Sequence, residues 1–415
     1  MQERLPAAVV DLLARVGELS QAREQRICLV GGAVRDLFLG RTNLDLDLVA
    51  EGDALGLAAD IAKGGKLSVS VDEGGQGRVR LHRRFGTAKF RWEGLTIDLA
   101  MARSESYERP GALPAVQPGV IEDDLRRRDF SINAMAVFLT PSSFGQLLDP
   151  HGGKEDVDRK IVRILHEGSF IDDATRMLRA VRYEQRLGFR LENGTERSLR
   201  ENIPMLDTIS GSRLRRELEL ILNEAYPERM LQRTQGLGML RQFAPCITID
   251  EWLIDKFVEA RRRTLSGPLV YMLLLIYRLE EGDIERLIER LDVTGQWAKA
   301  MRQISRLKNA LPYLGGEDIA PSAIYRLLQP YFTESIVAGA LACESETDCS
   351  NIEMYLNQLR YVNPVLDGTD LQRLGVAPGP SVGRMLDTLR DAKLDGQVNT
   401  TEEEEALVRR LLGGN

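Results

Sequence analysis

Histidine is scarce, with three in 415 residues (His82, His151 and His166). That excludes a histidine-rich metal centre, and with it a hydrolase domain of the His-Asp kind. The four cysteines (Cys28, Cys246, Cys343, Cys349) are scattered, with no Cys-x-x-Cys pair. This is the usage expected of reduced thiols in a cytosol, and it argues against a zinc site. No apolar run approaches the ~20 residues that cross a bilayer. The opening MQERLPAAVVDLL mixes charges and lacks the layout of a secretory leader. The expected location is therefore cytoplasmic. Basic residues are not in excess either: 55 Lys and Arg face 62 Asp and Glu, for a net charge of −7. Phosphate is met by local patches, so the total neither supports nor excludes RNA as a partner.

What remains is a soluble chain long enough for two or more domains. It is organised around LVGGAVRDLFLGRTNLDLDLV, Leu29 to Val49. An apolar run from Ile27 to Val30 predicts a buried strand ending in Gly31-Gly32. Ala33 to Leu39 fits a short helix stopped by Gly40. Leu44 to Val49 alternates as a second strand, which puts Asp45 and Asp47 together on one face. Two carboxylates side by side repel, and a divalent cation neutralises them best. The Gly-Gly turn offers backbone N–H groups to phosphate, and Arg35, followed by Asp36, is placed to clamp a triphosphate. A solvated edge strand after a glycine turn would also carry Asp-x-Asp. The combination at this spacing favours nucleotidyl transfer from an NTP with two Mg²⁺ ions.

Around this stretch the pattern is a mixed α/β domain with an antiparallel-leaning sheet. Helices are expected at Pro6–Leu19 and Asp53–Lys63. Strand-like runs follow at Leu67–Val71, Arg78–Leu81, Thr87–Trp92 and Leu95–Ala100. Asp98 lies in the last run, either as a third carboxylate at the metals or as a polar-face strand residue. Arg103 to Val120 carries three prolines and no clear period, and reads as a long loop. Glu122–Arg128 predicts a short helix, and Ser131–Leu139 another buried strand. Arg128, Asp129 and Asn133 fit a grip on ribose and phosphates, or else a solvated charge run.

Beyond Val162-Arg163-Ile164 the sequence reads helical throughout. One helix is expected from Asp172 to Tyr183, with Asp173, Arg176, Arg179 and Arg182 in a slowly winding row. An Asp and an Arg one turn apart can address the Watson–Crick edge of a base, and the later arginines can reach a triphosphate. The alternative is a surface salt bridge worth ~0.2–0.5 kcal/mol. The basic face that starts at Ser212-Arg213-Leu214-Arg215-Arg216 meets RNA phosphates or bulk solvent.

Gly31-Gly32-Ala33-Val34-Arg35-Asp36 with Asp45-Leu46-Asp47, then Arg127-Arg128-Asp129-Phe130-Ser131-Ile132-Asn133-Ala134, then Asp173-Ala174-Thr175-Arg176, resembles the bacterial (class II) tRNA nucleotidyltransferases and poly(A) polymerases. The order and spacing hold from Leu29 to Arg182, and more weakly to Leu371–Leu386. The resemblance implies a polymerase-β-like head over 1–140, a base-recognising neck over 141–206, a helical body over 207–300 and a tRNA-binding tail over 301–415. It implies that Asp45 and Asp47 bind the catalytic Mg²⁺. Gly32 and Arg35 would hold the triphosphate, and Arg128 with Asp129 the sugar and phosphates. Asp173 and Arg176 would serve as a protein template for incoming ATP or CTP, with Arg179 and Arg182 nearby. The implied reaction is template-independent CCA addition or repair at the tRNA 3′ end by a monomer or dimer. The family's usual Glu-Asp pair is Asp172-Asp173 here, and its usual Thr is Ser131. The Tyr107–Val116 segment, with the Asp-Asp-x-x-Arg form, also resembles the subgroup that adds only A. An A-adding enzyme or poly(A) polymerase is therefore the competing enzyme reading. A non-catalytic RNA-binding protein is the competing reading of another class.

Overall fold

The computed structural model describes residues 3–63, 79–82, 86–92, 95–112, 114–316 and 318–413. They form two compact units. The first comprises Met1–Glu217 with Gly236–Phe243, and the second Leu218–Gln235 with Ala244–Asn415.

The first unit begins with α1 (Ala7–Ala22), which buries Val9, Leu12, Leu13 and Val16 on one stripe. The apolar run then forms β1 (Ile27–Val30), buried at every position. It leads through Gly31 into α2 (Gly32–Phe38) and then β2 (Leu46–Ala50). After α3 (Ala54–Lys63) come β3 (Val79–His82), β4 (Thr87–Trp92) and β5 (Leu95–Met101). The expected strand at 67–71 lies outside the described residues.

Farther along are β6 (Arg103–Ser106), β7 (Ala115–Pro118), α4 (Ile121–Arg126), β8 (Ala136–Phe138) and β9 (Leu147–Leu148). Seven of these strands make one mixed sheet in the order β3-β4-β5-β2-β1-β8-β9. β2 runs antiparallel to β1 and parallel to β5. The register sets Asp47 between Val30 and Asp98. One face packs Cys28, Val30 and Val49 against Ile121 and Leu125 of α4.

Three expectations fail locally. Arg103–Val120 is not a loop: β6 and β7 pair as an antiparallel ribbon with Arg103 opposite Pro118. An edge strand tolerates proline because one side of it needs no donor. Ser131–Leu139 is not one strand. Ser131–Asn133 is a 3₁₀ turn, because Ser131 donates to Asp156 (2.6 Å) and Asn133 to Asp129 (3.1 Å). These side-chain bonds hold the segment out of the ladder, which resumes at β8. Asp45 precedes the strand and is exposed, its N–H bonded to the Asn43 side chain at 2.9 Å.

The chain continues through α5 (Gly153–Asp158), β10 (Ile161–Val162), α6 (Ser169–Asp172), α7 (Thr175–Leu187) and β11 (Arg190–Leu191). Contrary to the all-helical expectation, β10 and β11 form a short parallel pair. The helix expected from Asp172 to Tyr183 is broken at Asp173, whose backbone is extended (φ −146°, ψ 99°). Its carboxylate takes the N–H and hydroxyl of Thr175 (3.0 and 2.7 Å), capping α7. After α8 (Asn193–Glu201), α9 (Gly211–Leu222) carries the chain out of this unit.

The described residues of the second unit are helical. Pro268–Ile276, apolar all round, packs with Gly295–Ala310 and Thr333–Ala342. Met272 and Tyr271 are in this core. A separate small core near the C-terminus gathers Leu371, Leu389 and Val408. Among the described residues no helix is long and apolar enough to cross a membrane.

Candidate active site

Gly31 joins β1 to α2 at φ +73°, a backbone state that disfavours a side chain. A Cβ there would meet the Arg128 guanidinium at 2.9 Å and the Asp47 carboxylate at 3.7 Å. The turn, the arginine and the acid therefore share one point in space. They line a cavity of about 570 Å³, together with Gly32, Asp129 and Asn133. The opposite wall comes from α7 and α9. Asp173, Arg176 and Arg179 line it, and so do Arg213, Arg216 and Glu217.

Burial pushes the Asp47 carboxyl up to about 6; Arg128 opposes the rise, while Asp45 and Asp98 add to it. Such an acid is short of a cation. Asp98 stands beside it in register, 40% exposed and 2.9 Å from Lys89. Neither Asp45 nor Asp98 lines the cavity. Among the described residues no cluster of three acid, His or Cys side chains forms a closed metal cage. Mg²⁺ is commonly held by one or two carboxylates plus substrate phosphates, and Asp45 with Asp47 fits that donor set.

Behind the lining, charged side chains hold one another. Arg35, expected at the triphosphate, is 3% exposed and lies outside the cavity lining. It donates to Asp36 (2.9 and 3.1 Å) and to Asn133 (2.7 Å), and Asp36 also accepts from Asn43 (2.6 Å). Asn133 passes the chain to Asp129, which accepts from Arg179 at 3.0 and 2.5 Å. Burial alone would raise the Asp129 carboxyl, but Arg179 and Asn133 hold it below the usual range. Arg179 and Arg182 then reach Glu217 at 3.8 and 3.7 Å. Asp36 and Arg182 are also absent from the lining. Arg176 bonds Ser169 (2.8 Å) and the Arg127 carbonyl (2.9 Å).

Several residues had no role in the sequence reading. Asp124, fully buried, accepts from Arg127 with one oxygen and from Arg128 with the other. Its signal was its spacing, three and four residues ahead of those arginines on one helix. Glu105 on β6 receives Arg127 (2.8 Å) and the Tyr107 hydroxyl (3.1 Å). Burial pushes that phenol up to about 12. Tyr183 has three guanidinium carbons, of Arg35, Arg179 and Arg182, at 5.4, 5.8 and 5.4 Å from its ring centre. Arg213 and Arg216 were expected to face RNA or solvent, but they line the cavity.

A carboxylate-bearing strand beside a glycine turn, on a mixed sheet followed by helices, defines the polymerase-β-like head of a nucleotidyltransferase. Residues 27–163 match the poly A polymerase head domain, and residues 188–250 the probable RNA and SrmB-binding site of polymerase A. The A-adding tRNA nucleotidyltransferase of Geobacter sulfurreducens is 32% identical, over 99% of this chain and 48% of that protein. The chain thus spans about half the length of that relative. The A-adding enzyme of Halalkalibacterium halodurans is 31% identical, over 97% of this chain and 92% of its own. The CC-adding enzyme of Deinococcus radiodurans is 33% identical, over 98% and 93%. Among solved structures, a CCA-adding enzyme in an apo form superposes with a TM-score of 0.78 at 30% identity, over 100% of this chain and 97% of that one. The chain belongs to the family of tRNA nucleotidyltransferases and poly(A) polymerases.

Proposed function

We propose that this chain adds nucleotides to the 3′ end of tRNA from CTP and ATP, releasing pyrophosphate. The observation that carries the reading is convergence: the Gly31 turn, Asp47 and the Asp173/Arg176 pair border one cavity. Triphosphate phosphates are met by the Gly31-Gly32 turn and by Arg128, which Asp124 holds in place. Asp129, fixed by Arg179 and Asn133, borders the same space and holds the sugar and phosphates. Asp45 and Asp47 would hold Mg²⁺, which supplies activation of the attacking 3′-hydroxyl and charge neutralisation on the departing pyrophosphate. Asp173 accepts from a base amino group while Arg176, braced by Ser169 and Arg127, donates beside it. The helical body and tail grip the acceptor arm by shape and backbone, as suits A-form RNA. The enzyme acts in the cytoplasm.

A second reading, addition of A alone, is favoured by the Tyr107–Val116 segment and by relatives named A-adding. The deciding experiment incubates the protein with tRNA lacking CCA, CA or A and one labelled NTP at a time. CTP incorporation onto the CCA-less tRNA, followed by ATP, supports CCA addition. ATP incorporation only onto tRNA ending in CC supports the A-only reading. No Mg²⁺-dependent incorporation of any nucleotide overturns both.

A further inference from the structure

Asp173 is more tightly held than a template residue needs to be. A carboxylate offers two oxygens with about two lone-pair directions each. One oxygen, Oδ1, takes both the N–H and the hydroxyl of Thr175. The other, Oδ2, takes the Arg213 guanidinium at 2.7 Å. One acceptor direction is left, on Oδ2. Thr175 belongs to α7 and Arg213 to α9, so the carboxylate is gripped from two elements. Arg213 itself lines the cavity with its side chain 30% exposed.

We propose that Arg213 is a specificity-determining positioning residue. By holding Oδ2 it fixes the rotation of the Asp173 carboxylate and leaves it a single outward acceptor. That acceptor selects adenine or cytosine, which carry an exocyclic amino group. It rejects guanine and uracil, which put a carbonyl at the corresponding position and would set oxygen against oxygen. Without Arg213 the carboxylate is held from one side only, by Thr175 at Oδ1, and its intrinsically broad torsion widens. Water then fills the vacated direction, and a keto base is tolerated through it. The proposal rests on the reading of Asp173 and Arg176 as the base-recognising pair.

The test uses the full chain with tRNA ending in CC, and also tRNA ending before CCA where CTP is a substrate. kcat and KM are measured for ATP against GTP, and for CTP against UTP. Proteins are wild type, R213Q, R213K and D173A. Arg213→Gln is expected to lower the amino-over-keto ratio of kcat/KM about tenfold, the scale of one lost charged hydrogen bond. The change should fall mainly in KM. Arg213→Lys keeps the charge but not the planar fork. It should retain most of the ratio, and it carries the test if R213Q folds poorly. If D173A collapses the ratio while R213Q and R213K lower all nucleotides by one common factor, Arg213 only supports the fold and the proposal is wrong, although the base-reading pair stands. If D173A leaves the ratio intact, the base-reading assignment itself fails and the proposal falls with it.

Discussion

Arginine–carboxylate pairs occur in both compact units of the chain, and they do different things in each. Around the cavity of the first unit they are buried and linked: Arg35, Asn133, Asp129, Arg179 and Glu217 follow one another without a break. In the second unit the Arg302–Glu285 pair, at 2.7 Å, stands in water with each side chain nearly half exposed. The bond lengths are alike and the surroundings are not. A buried pair stripped of one partner leaves a charge in low dielectric, whereas an exposed pair exchanges its partner for solvent. Proximity alone therefore says little; burial and linkage decide which pairs fix geometry.

The comparison breaks most visibly where a charge serves chemistry. Asp47→Ala is expected to lower nucleotide incorporation by about a thousandfold or more, the scale seen when an essential catalytic group is removed. tRNA binding measured by filter retention should persist. Near-normal turnover in that variant would remove the metal assignment.

Asp124→Ala comes next. It strands Arg128, 18% exposed, and leaves Arg127, 19% exposed, with Glu105 as its remaining carboxylate, and should destabilise the first unit by ~3–5 kcal/mol. Urea unfolding followed by a probe in that unit measures it. A shift within error would mean that water replaces Asp124 freely, and that burial is not what separates the two sets of pairs.

Gly31→Ala tests the turn. The left-handed backbone costs ~1–3 kcal/mol for a side chain, and the new methyl displaces the Arg128 guanidinium. KM for the nucleotide should rise more than stability falls. Equal losses in both would make the glycine a folding residue only.

These outcomes bear on how much could be read from the chain before folding. The Gly-Gly turn, β1 and the position of Asp47 were legible because alternation and apolar runs are local signals. Asp124 was hidden, since a charge run usually means a solvated face and only packing of α4 against the sheet buries it. The placement of Arg35 behind the lining was hidden for the converse reason. Its proximity to the turn is local, but its partner Asn133 lies 98 residues away. The break at Asp173 was missed because an Asp pair at a helix start looks the same whether the second residue is inside the helix or caps it.

Acid sharpens the contrast by a smaller amount. Asp129 ionises more readily folded than unfolded, because Arg179 outweighs its burial. Its contribution is present at neutral pH and is lost as pH falls through its lowered folded value. The stability gap between wild type and Asp129→Asn should therefore be widest near pH 7 and should narrow below about pH 4. A gap independent of pH would mean that the carboxylate acts by shape alone.

The smallest effect is expected where the comparison predicts none. Arg302→Ala removes the Nε–Oε1 bond to Glu285 at 2.7 Å and a second at 2.8 Å, a geometry as good as any at the cavity. Both side chains already contact water, so Glu285 regains hydration as it loses the arginine. Truncation also removes the entropy cost of ordering a long, half-exposed side chain. The urea midpoint of the second unit should match wild type within error at 0.15 M salt. A clear loss that disappears at 1 M salt would show that exposed pairs act over a longer range here than screening allows, and linkage rather than burial would then separate the two regions.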